Sequence, residues 1–170
     1  MLIGDWTDIL VRLGFGTLVG MALGFDRELR GFDAGLRTHG LVALSSAMLT
    51  VSSLMLFADV QKLGGDADPL RVVQGLAQAI GFIAGGLIFV RGAGVMNMTT
   101  ASSVWTACAA GIAAGAGQFV LLGIASAMAI VLLTLVGMLE RFLPKRESGK
   151  SGGGEPPEPP NRRGRNDPSA

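Results

Sequence analysis

The sequence predicts an all-α membrane protein, a bundle of about five transmembrane helices. Of its 170 residues, 49% are hydrophobic, and its mean hydropathy of +0.50 lies well above that of an ordinary soluble domain. Long runs without charge alternate with short charged segments, and about 20 apolar residues suffice for a helix to cross a bilayer. The predicted surroundings are therefore the lipid bilayer.

Four apolar runs carry the predicted helices. They are residues 13–25, extended back through Arg12 to about Asp5, then 38–58, 72–90 and 92–139. The last run would measure roughly 70 Å as one helix, more than twice the bilayer thickness, so we expect it to fold back as two spans. We place the turn at residues 115–118, because glycine there favours a change of direction.

Lysine and arginine in the predicted loops indicate the orientation. With the amino terminus outside, the inner segments hold Arg27, Arg30, Arg37, Arg91, Arg141, Lys145 and Arg146, and the outer segments hold only Lys62 and Arg71. The positive-inside rule therefore predicts the amino terminus outside and the carboxyl terminus inside. Arg12 is an exception within the first helix, and it is either functional or reaches along the helix to the interface.

The composition changes at Pro144. From there the chain is rich in proline, glycine and charge, a composition that cannot bury enough apolar surface to fold. We expect a transmembrane domain over residues 1–143 and a disordered cytoplasmic tail over 144–170.

Small residues four apart recur in the predicted helices and predict close packing of their backbones in lipid. The principal ones are Gly16, Gly20, Gly24, Gly81, Gly85, Gly111 and Gly115. Packing inside one bundle, contacts in a homo-oligomer and the lining of a cavity all fit the pattern.

The third predicted helix carries a polar intramembrane face. Arg71, Gln74 and Gln78 are spaced so that they share one side of the helix. They are expected either to hydrogen-bond to serine and threonine of the second helix or to line a polar path.

Several functions find no support in the residues. The formal net charge is +1, so no overall basic field favours nucleic acid. Tyrosine is absent and His39 is the one histidine, and no cluster of nucleophile and base or of metal ligands is visible. We therefore expect no enzyme, catalytic residue, cofactor or metal site.

Two segments resemble the MgtC/SapB family of membrane proteins. In GMALGFDRELRGFDAGLRTHGLVALSSAML, a glycine-rich helix leads into an acidic-Arg-Glu triplet and an Ala-Gly-Leu-Arg-Thr-His run. In DPLRVVQGLAQAIGFIAGGLIFVRGAGVMNMTTASSVW, an Asp-Pro-x-Arg start precedes a glycine-rich helix and a Thr-Thr-Ala-x-x-x-Trp motif. Asp26 stands where members often have glutamate. Members often carry a folded cytoplasmic domain after the last helix, so this chain resembles a short form.

The resemblance implies a bacterial inner-membrane, multi-pass protein associated with adaptation to low magnesium, survival inside host cells and modulation of other membrane machines, ATP synthase included. The expected function is thus a non-enzymatic regulator of ion homeostasis that acts on another membrane protein or on itself. The alternative is a small transporter or channel for Mg²⁺ or another ion.

The charged stretch between the first two helices is the predicted contact region for a partner or for lipid. Its candidates are Asp26, Arg27, Glu28, Arg30, Arg37, Thr38 and His39. Asp26 with Arg30 and Asp33 with Arg37 are spaced to form ion pairs if the stretch is helical. The arginines also suit anionic headgroups or carboxylates of a partner.

Overall fold

The computed structural model describes residues 5–91 and 94–136, and this part of the chain folds as five α-helices and one short β-hairpin. The helices are α1 (Trp6–Leu29), α2 (Leu36–Lys62), α3 (Leu70–Leu87), α4 (Met98–Gly115) and α5 (Phe119–Val131), and α5 continues as a π-helical segment, Leu132–Val136. The predicted helical class is confirmed. The predicted tail, 144–170, lies outside the described residues.

Three of the helices, α1, α2 and α3, are long and apolar enough to cross a membrane. The helix over Phe119–Leu135 is apolar but shorter. With α4 it was expected to supply the remaining two of five spans, and the number of spans and their orientation stay predictions.

Helix α4 is the centre of the bundle. It packs against α1, α2, α3 and α5, and its buried face is built from small residues such as Ala101, Ala107 and Ala114 together with Val104. A helix enclosed by other helices does not need a strongly apolar surface, because little of it faces lipid. This explains why α4 is poorer in large aliphatic residues than its neighbours.

Helix ends are closed by glycine in a left-handed conformation. Gly31, Gly64 and Gly117 have φ values of +73°, +74° and +75°. Around each, the two backbone hydrogen bonds of a Schellman motif satisfy the last carbonyl groups of the preceding helix. The turn over residues 116–118 lies where the sequence predicted it.

The α1–α2 connection is shorter than the sequence suggested. Helix α1 continues through Asp26, Arg27 and Glu28 to Leu29, so only residues 30–35 lie between the helices. Asp26, Arg27 and Glu28 therefore occupy the last turn of α1 and do not belong to a loop. Asp26 and Arg30 pair at 2.8 Å, which is the spacing that favours continuation of the helix.

A β-hairpin between α3 and α4 was not predicted. Strand β1 (Phe89–Arg91) pairs antiparallel with β2 (Gly94–Met96), and Val90 lies opposite Val95. The sequence placed a helix as far as residue 90. The helix ends instead at Leu87, after Gly85 and Gly86, and the β-branched valines that follow favour extended backbone.

Candidate functional site at the α1–α2 connection

Glycines hold α1, α2 and α4 at backbone contact. A Cβ atom on Gly20 would lie 2.5 Å from Ala43 Cβ and 2.6 Å from the carbonyl oxygen of His39. On Gly115 it would lie 2.6 Å from the carbonyl oxygen of Ala47. Such distances exclude a side chain, so these helices touch through their backbones.

Five of the seven predicted packing glycines lie at these contacts, namely Gly16, Gly20, Gly24, Gly111 and Gly115. Gly81 and Gly85 differ. A Cβ atom on either would meet nothing within 4 Å, because α3 packs against α4 through Ile80 and Ala84 on another side of the helix. Within the described residues, Gly81 and Gly85 therefore do not serve as packing positions.

Arg27 lies inside the bundle. Only 2% of it is exposed, its Nη2 donates a hydrogen bond to Thr100 Oγ1 of α4, and its guanidinium lies 4.2 Å from the centre of the Phe32 ring. Its Nε has no partner among the described residues. Arg27 thus ties the end of α1 to the beginning of α4, with Phe32 covering its charge.

His39 is fully buried, with 0% exposed. Its Nδ1 lies 2.8 Å from the Gly35 carbonyl oxygen, and because a carbonyl can only accept, Nδ1 carries the proton. Its Nε2 lies 3.0 Å from Ser103 Oγ, and that hydroxyl also lies 2.8 Å from the Thr100 carbonyl oxygen. We call Arg27, His39, Thr100 and Ser103 the buried polar network.

Glu28 caps the beginning of α2. Its Oε2 accepts a hydrogen bond of 3.0 Å from the Leu36 backbone N–H, one of the donors that the first turn of a helix leaves free. A Cβ atom on Gly35 would collide with the same carboxylate. A Cβ atom on Gly24 would lie 2.6 Å from the Gly35 carbonyl oxygen, so these two residues are in backbone contact. The glycines therefore allow the α1–α2 connection to close.

The surface of the connection carries the remaining charges. Arg30 is partly exposed and paired with Asp26, whereas Arg37 is exposed and Thr38 half-buried. The expected pair of Asp33 with Arg37 is not among the ion pairs of the described residues. Residues 30–35 form no helix, so the spacing of four does not bring these two side chains together.

Two of the seven predicted contact residues need correction. Arg27 and His39 are buried, so neither side chain is available for direct contact with a partner or a lipid headgroup. Sequence reasoning placed them on the surface because it took the charged stretch as a loop. Thr100 and Ser103 could have indicated the burial, because they lie three residues apart and place two hydroxyl groups near the beginning of α4.

A second buried ion pair lies toward the other end of α1. Asp8 and Arg12 are 1% and 7% exposed, Arg12 Nε donates to Asp8 Oδ2 at 2.8 Å, and Arg12 Nη1 donates to the Gly115 carbonyl oxygen at 2.8 Å. Arg12 therefore bonds within the bundle, to α1 itself and to the end of α4. Sequence reasoning missed Asp8 as its partner, although the spacing of four on one helix is typical of such pairs.

The polar face of α3 makes no side-chain hydrogen bond to another helix among the described residues. Arg71, Gln74 and Gln78 are all exposed, and none contributes to the side-chain hydrogen bonds that join the described helices. The expected bonds to α2 are therefore not formed. The reason is geometric, because α3 packs mainly on α4 and only slightly on α2.

The described residues contain no group of three or more histidine, cysteine, aspartate or glutamate side chains arranged to hold a metal ion. Cys108 is buried and accepts a hydrogen bond of 3.2 Å from Ser46 Oγ, as expected of a packing residue between α4 and α2.

Comparison with known proteins gives consistent matches. The model of the MgtC family matches residues 13–142. "Putative magnesium transporter YhiD" of Escherichia coli (strain K12) is 34% identical over 133 residues, which cover 78% of this chain and 62% of that protein. Protein SapB of Bacillus subtilis (strain 168) is 36% identical over 139 residues, covering 81% and 57%. Protein MgtC of Brucella abortus (strain 2308) is 34% identical over 126 residues, covering 74% and 50%.

The chain thus spans between half and about three fifths of the length of these curated relatives. No solved structure matches it. The family match covers most of the chain, and it includes the buried polar network and the glycine contacts of α1, α2 and α4. The chain belongs to the MgtC family.

Proposed function

We propose that this chain is a regulator of ion homeostasis in the bacterial inner membrane, which supports adaptation to low magnesium by contacting another membrane protein. In this proposal it is not an enzyme and does not carry the ion itself. Membership of the MgtC family and the magnesium-related name of the relative YhiD support the physiological setting.

The observation that carries the proposal is the closed packing of α1, α2 and α4. Cβ atoms on Gly20, Gly111 and Gly115 would all collide with backbone atoms of a neighbouring helix. Backbones in such direct contact leave no water-sized space between them. The buried cations on this axis are also engaged internally, since Arg12 bonds to Asp8 and Arg27 bonds to Thr100. A hydrated ion finds no room along these contacts.

The charged groups of the α1–α2 connection that are accessible to a partner lie on its outer surface. Glu28, Asp33 and Arg37 are exposed, and Arg30 is partly so. Arginine presents several donors in a planar head and suits carboxylates of another protein. We assign Arg30 and Arg37 to partner contact, while Arg27 and His39 hold the surface in shape from within.

Charge reversal tests this assignment. Arg37→Glu and Arg30→Glu are expected to abolish growth support at low magnesium and to remove a crosslinked partner from membranes of magnesium-starved cells, at unchanged abundance in the membrane. Lys62→Glu is the matched control, since it reverses an exposed cation at the far end of α2. Undiminished growth in both variants at the α1–α2 connection would contradict the proposal.

The second candidate is a transporter or channel for Mg²⁺ or another ion. The observation that favours it is the exposed polar face of Arg71, Gln74 and Gln78 on α3, together with the name of YhiD. Such a path would have to run along the outside of α3. It predicts that Gln78→Leu changes the rate of ion movement in liposomes.

A further inference from the structure

Helix α3 is the least covered of the three candidate spans. It packs on α4 through buried Ile80 and Ala84, whereas Phe82 on another side is 85% exposed. Most of the surface of α3 is therefore available to something outside the described bundle.

One stripe of that surface has an unusual composition. Gln74, Gln78, Gly81 and Gly85 are all exposed, and their spacing of four, three and four residues places them within about 60° of each other around the helix. The stripe is centred roughly 110° from Ile80 and Ala84. We call these four residues the α3 seam.

The two glutamines of the α3 seam need hydrogen-bond partners. Each amide has two donors and an acceptor oxygen, and lipid tails offer neither donors nor acceptors. Gln74 and Gln78 lie in the first half of a helix that is apolar enough to span a membrane, and they are exposed on it. A polar side chain in a span is expected to face protein.

We propose that the α3 seam is a contact between two copies of this chain, packed side by side with their α3 helices parallel. Two copies with the same orientation in a membrane are related by a two-fold axis along the membrane normal, so each seam residue lies near its own counterpart. A glutamine amide both donates and accepts, so it is complementary to a second glutamine. This self-complementarity favours a second copy over a different protein.

The rest of the seam fits the same arrangement. A Cβ atom on Gly81 or Gly85 would meet nothing within 4 Å, which leaves the backbone open for close approach of a second helix. Their spacing averages about 3.7 residues, close to the period of a straight α-helix, so the four residues stay on one side of α3 along its length. Arg71 continues the stripe at the beginning of α3, where its charge can reach the aqueous boundary. The inference does not depend on the proposed function.

Cysteine crosslinking tests the contact in membranes that contain the full chain. Cys108, the one native cysteine, is first replaced by alanine, and Gln74→Cys, Gln78→Cys or Ala79→Cys is then added. With a mild oxidant, the Gln74→Cys and Gln78→Cys variants are expected to give covalent dimers. Ala79→Cys is the matched control, because it is exposed at the same depth but about 100° further round the helix.

Three results would overturn the proposal. They are monomer alone from both glutamine positions, equal dimer from Ala79→Cys, or crosslinking of Gln78→Cys to a different protein. As a second measurement, Gly81→Leu with Gly85→Leu is expected to reduce the Gln78→Cys dimer by at least about tenfold. The folded monomer should be retained, since neither position has a neighbour within 4 Å. An undiminished dimer would show that the seam is not the contact.

Discussion

At the scale of single residues, the buried polar network gives the charged stretch a role inside the protein. His39 joins α2 to α4 through Ser103, and Arg27 joins α1 to α4 through Thr100. Buried polar groups are costly unless hydrogen-bonded, so each of these residues depends on its partner. The Arg-Glu and Arg-Thr-His motifs that carried the family resemblance are thus, in large part, the means by which three helices are joined.

Replacement of His39 tests the network. His39→Ala removes the bonds to the Gly35 carbonyl and to the Ser103 hydroxyl, and it should lower the free energy of unfolding by about 1–3 kcal/mol. The neighbouring Arg37→Ala, at an exposed position, should change it by less than about 0.5 kcal/mol. Unfolding in detergent measures both values, and equal stabilities of the two variants would contradict a structural role for His39.

Glycine contacts at the α1–α2 interface provide a second test. A Cβ atom on Gly20 would meet Ala43 Cβ and the His39 carbonyl, so Gly20→Ala must separate the two helices and should destabilise the fold by about 1–3 kcal/mol. Gly14, on the same helix, has nothing within 4 Å of such an atom. Gly14→Ala should therefore be neutral or stabilise by up to about 1 kcal/mol. A stable Gly20→Ala variant would refute the close approach.

At the scale of elements, α1 is fastened to the α4–α5 turn. Arg12 bonds both to Asp8 and to the Gly115 carbonyl at the end of α4. A cation there also complements the negative end of the helix dipole. The rings of Phe15 and Phe119 meet edge to face with centroids 5.7 Å apart. This contact holds the beginning of α5 against α1.

A double replacement tests this connection. Arg12→Leu alone leaves the Asp8 carboxylate buried without its partner, and we expect a loss of about 3–5 kcal/mol. Asp8→Leu combined with Arg12→Leu removes both charges, so it should be less damaging than Arg12→Leu alone. Thermal unfolding of the single and double variants measures both losses of stability. A double variant less stable than the single one would show that the pair does not act as described.

Helix positions were largely predictable, because long charge-free runs and the turn at residues 116–118 depend on residues that are adjacent in the sequence. The tertiary contacts of individual residues were less predictable. Whether Arg27 lies inside or outside depends on Thr100, 73 residues away, and whether Gly81 is a packing position depends on which side of α3 meets α4. Strands β1 and β2 were not predicted, because they lie at the end of one apolar run and the beginning of the next, and both runs also fit helices.

For the molecule as a whole, the proposed contact surface depends on the predicted orientation. If the α1–α2 connection faces the cytoplasm, Asp33→Cys should resist a membrane-impermeant thiol reagent in intact cells and react in inverted vesicles. Asp66→Cys, in the exposed α2–α3 connection, should show the opposite behaviour. Both variants use the Cys108→Ala background. Labelling of Asp33→Cys from outside would place the proposed contact surface on the wrong side of the membrane.

In the proposed function, the chain influences magnesium physiology through contact with another membrane protein and not through conduction. The most direct test of this proposal is Mg²⁺ uptake by proteoliposomes that contain the purified chain, followed with an indicator dye inside the vesicles. The account predicts uptake equal to that of protein-free liposomes, and the same value for Gln78→Leu. Saturable uptake well above that background, altered by Gln78→Leu, would contradict it and establish the transporter.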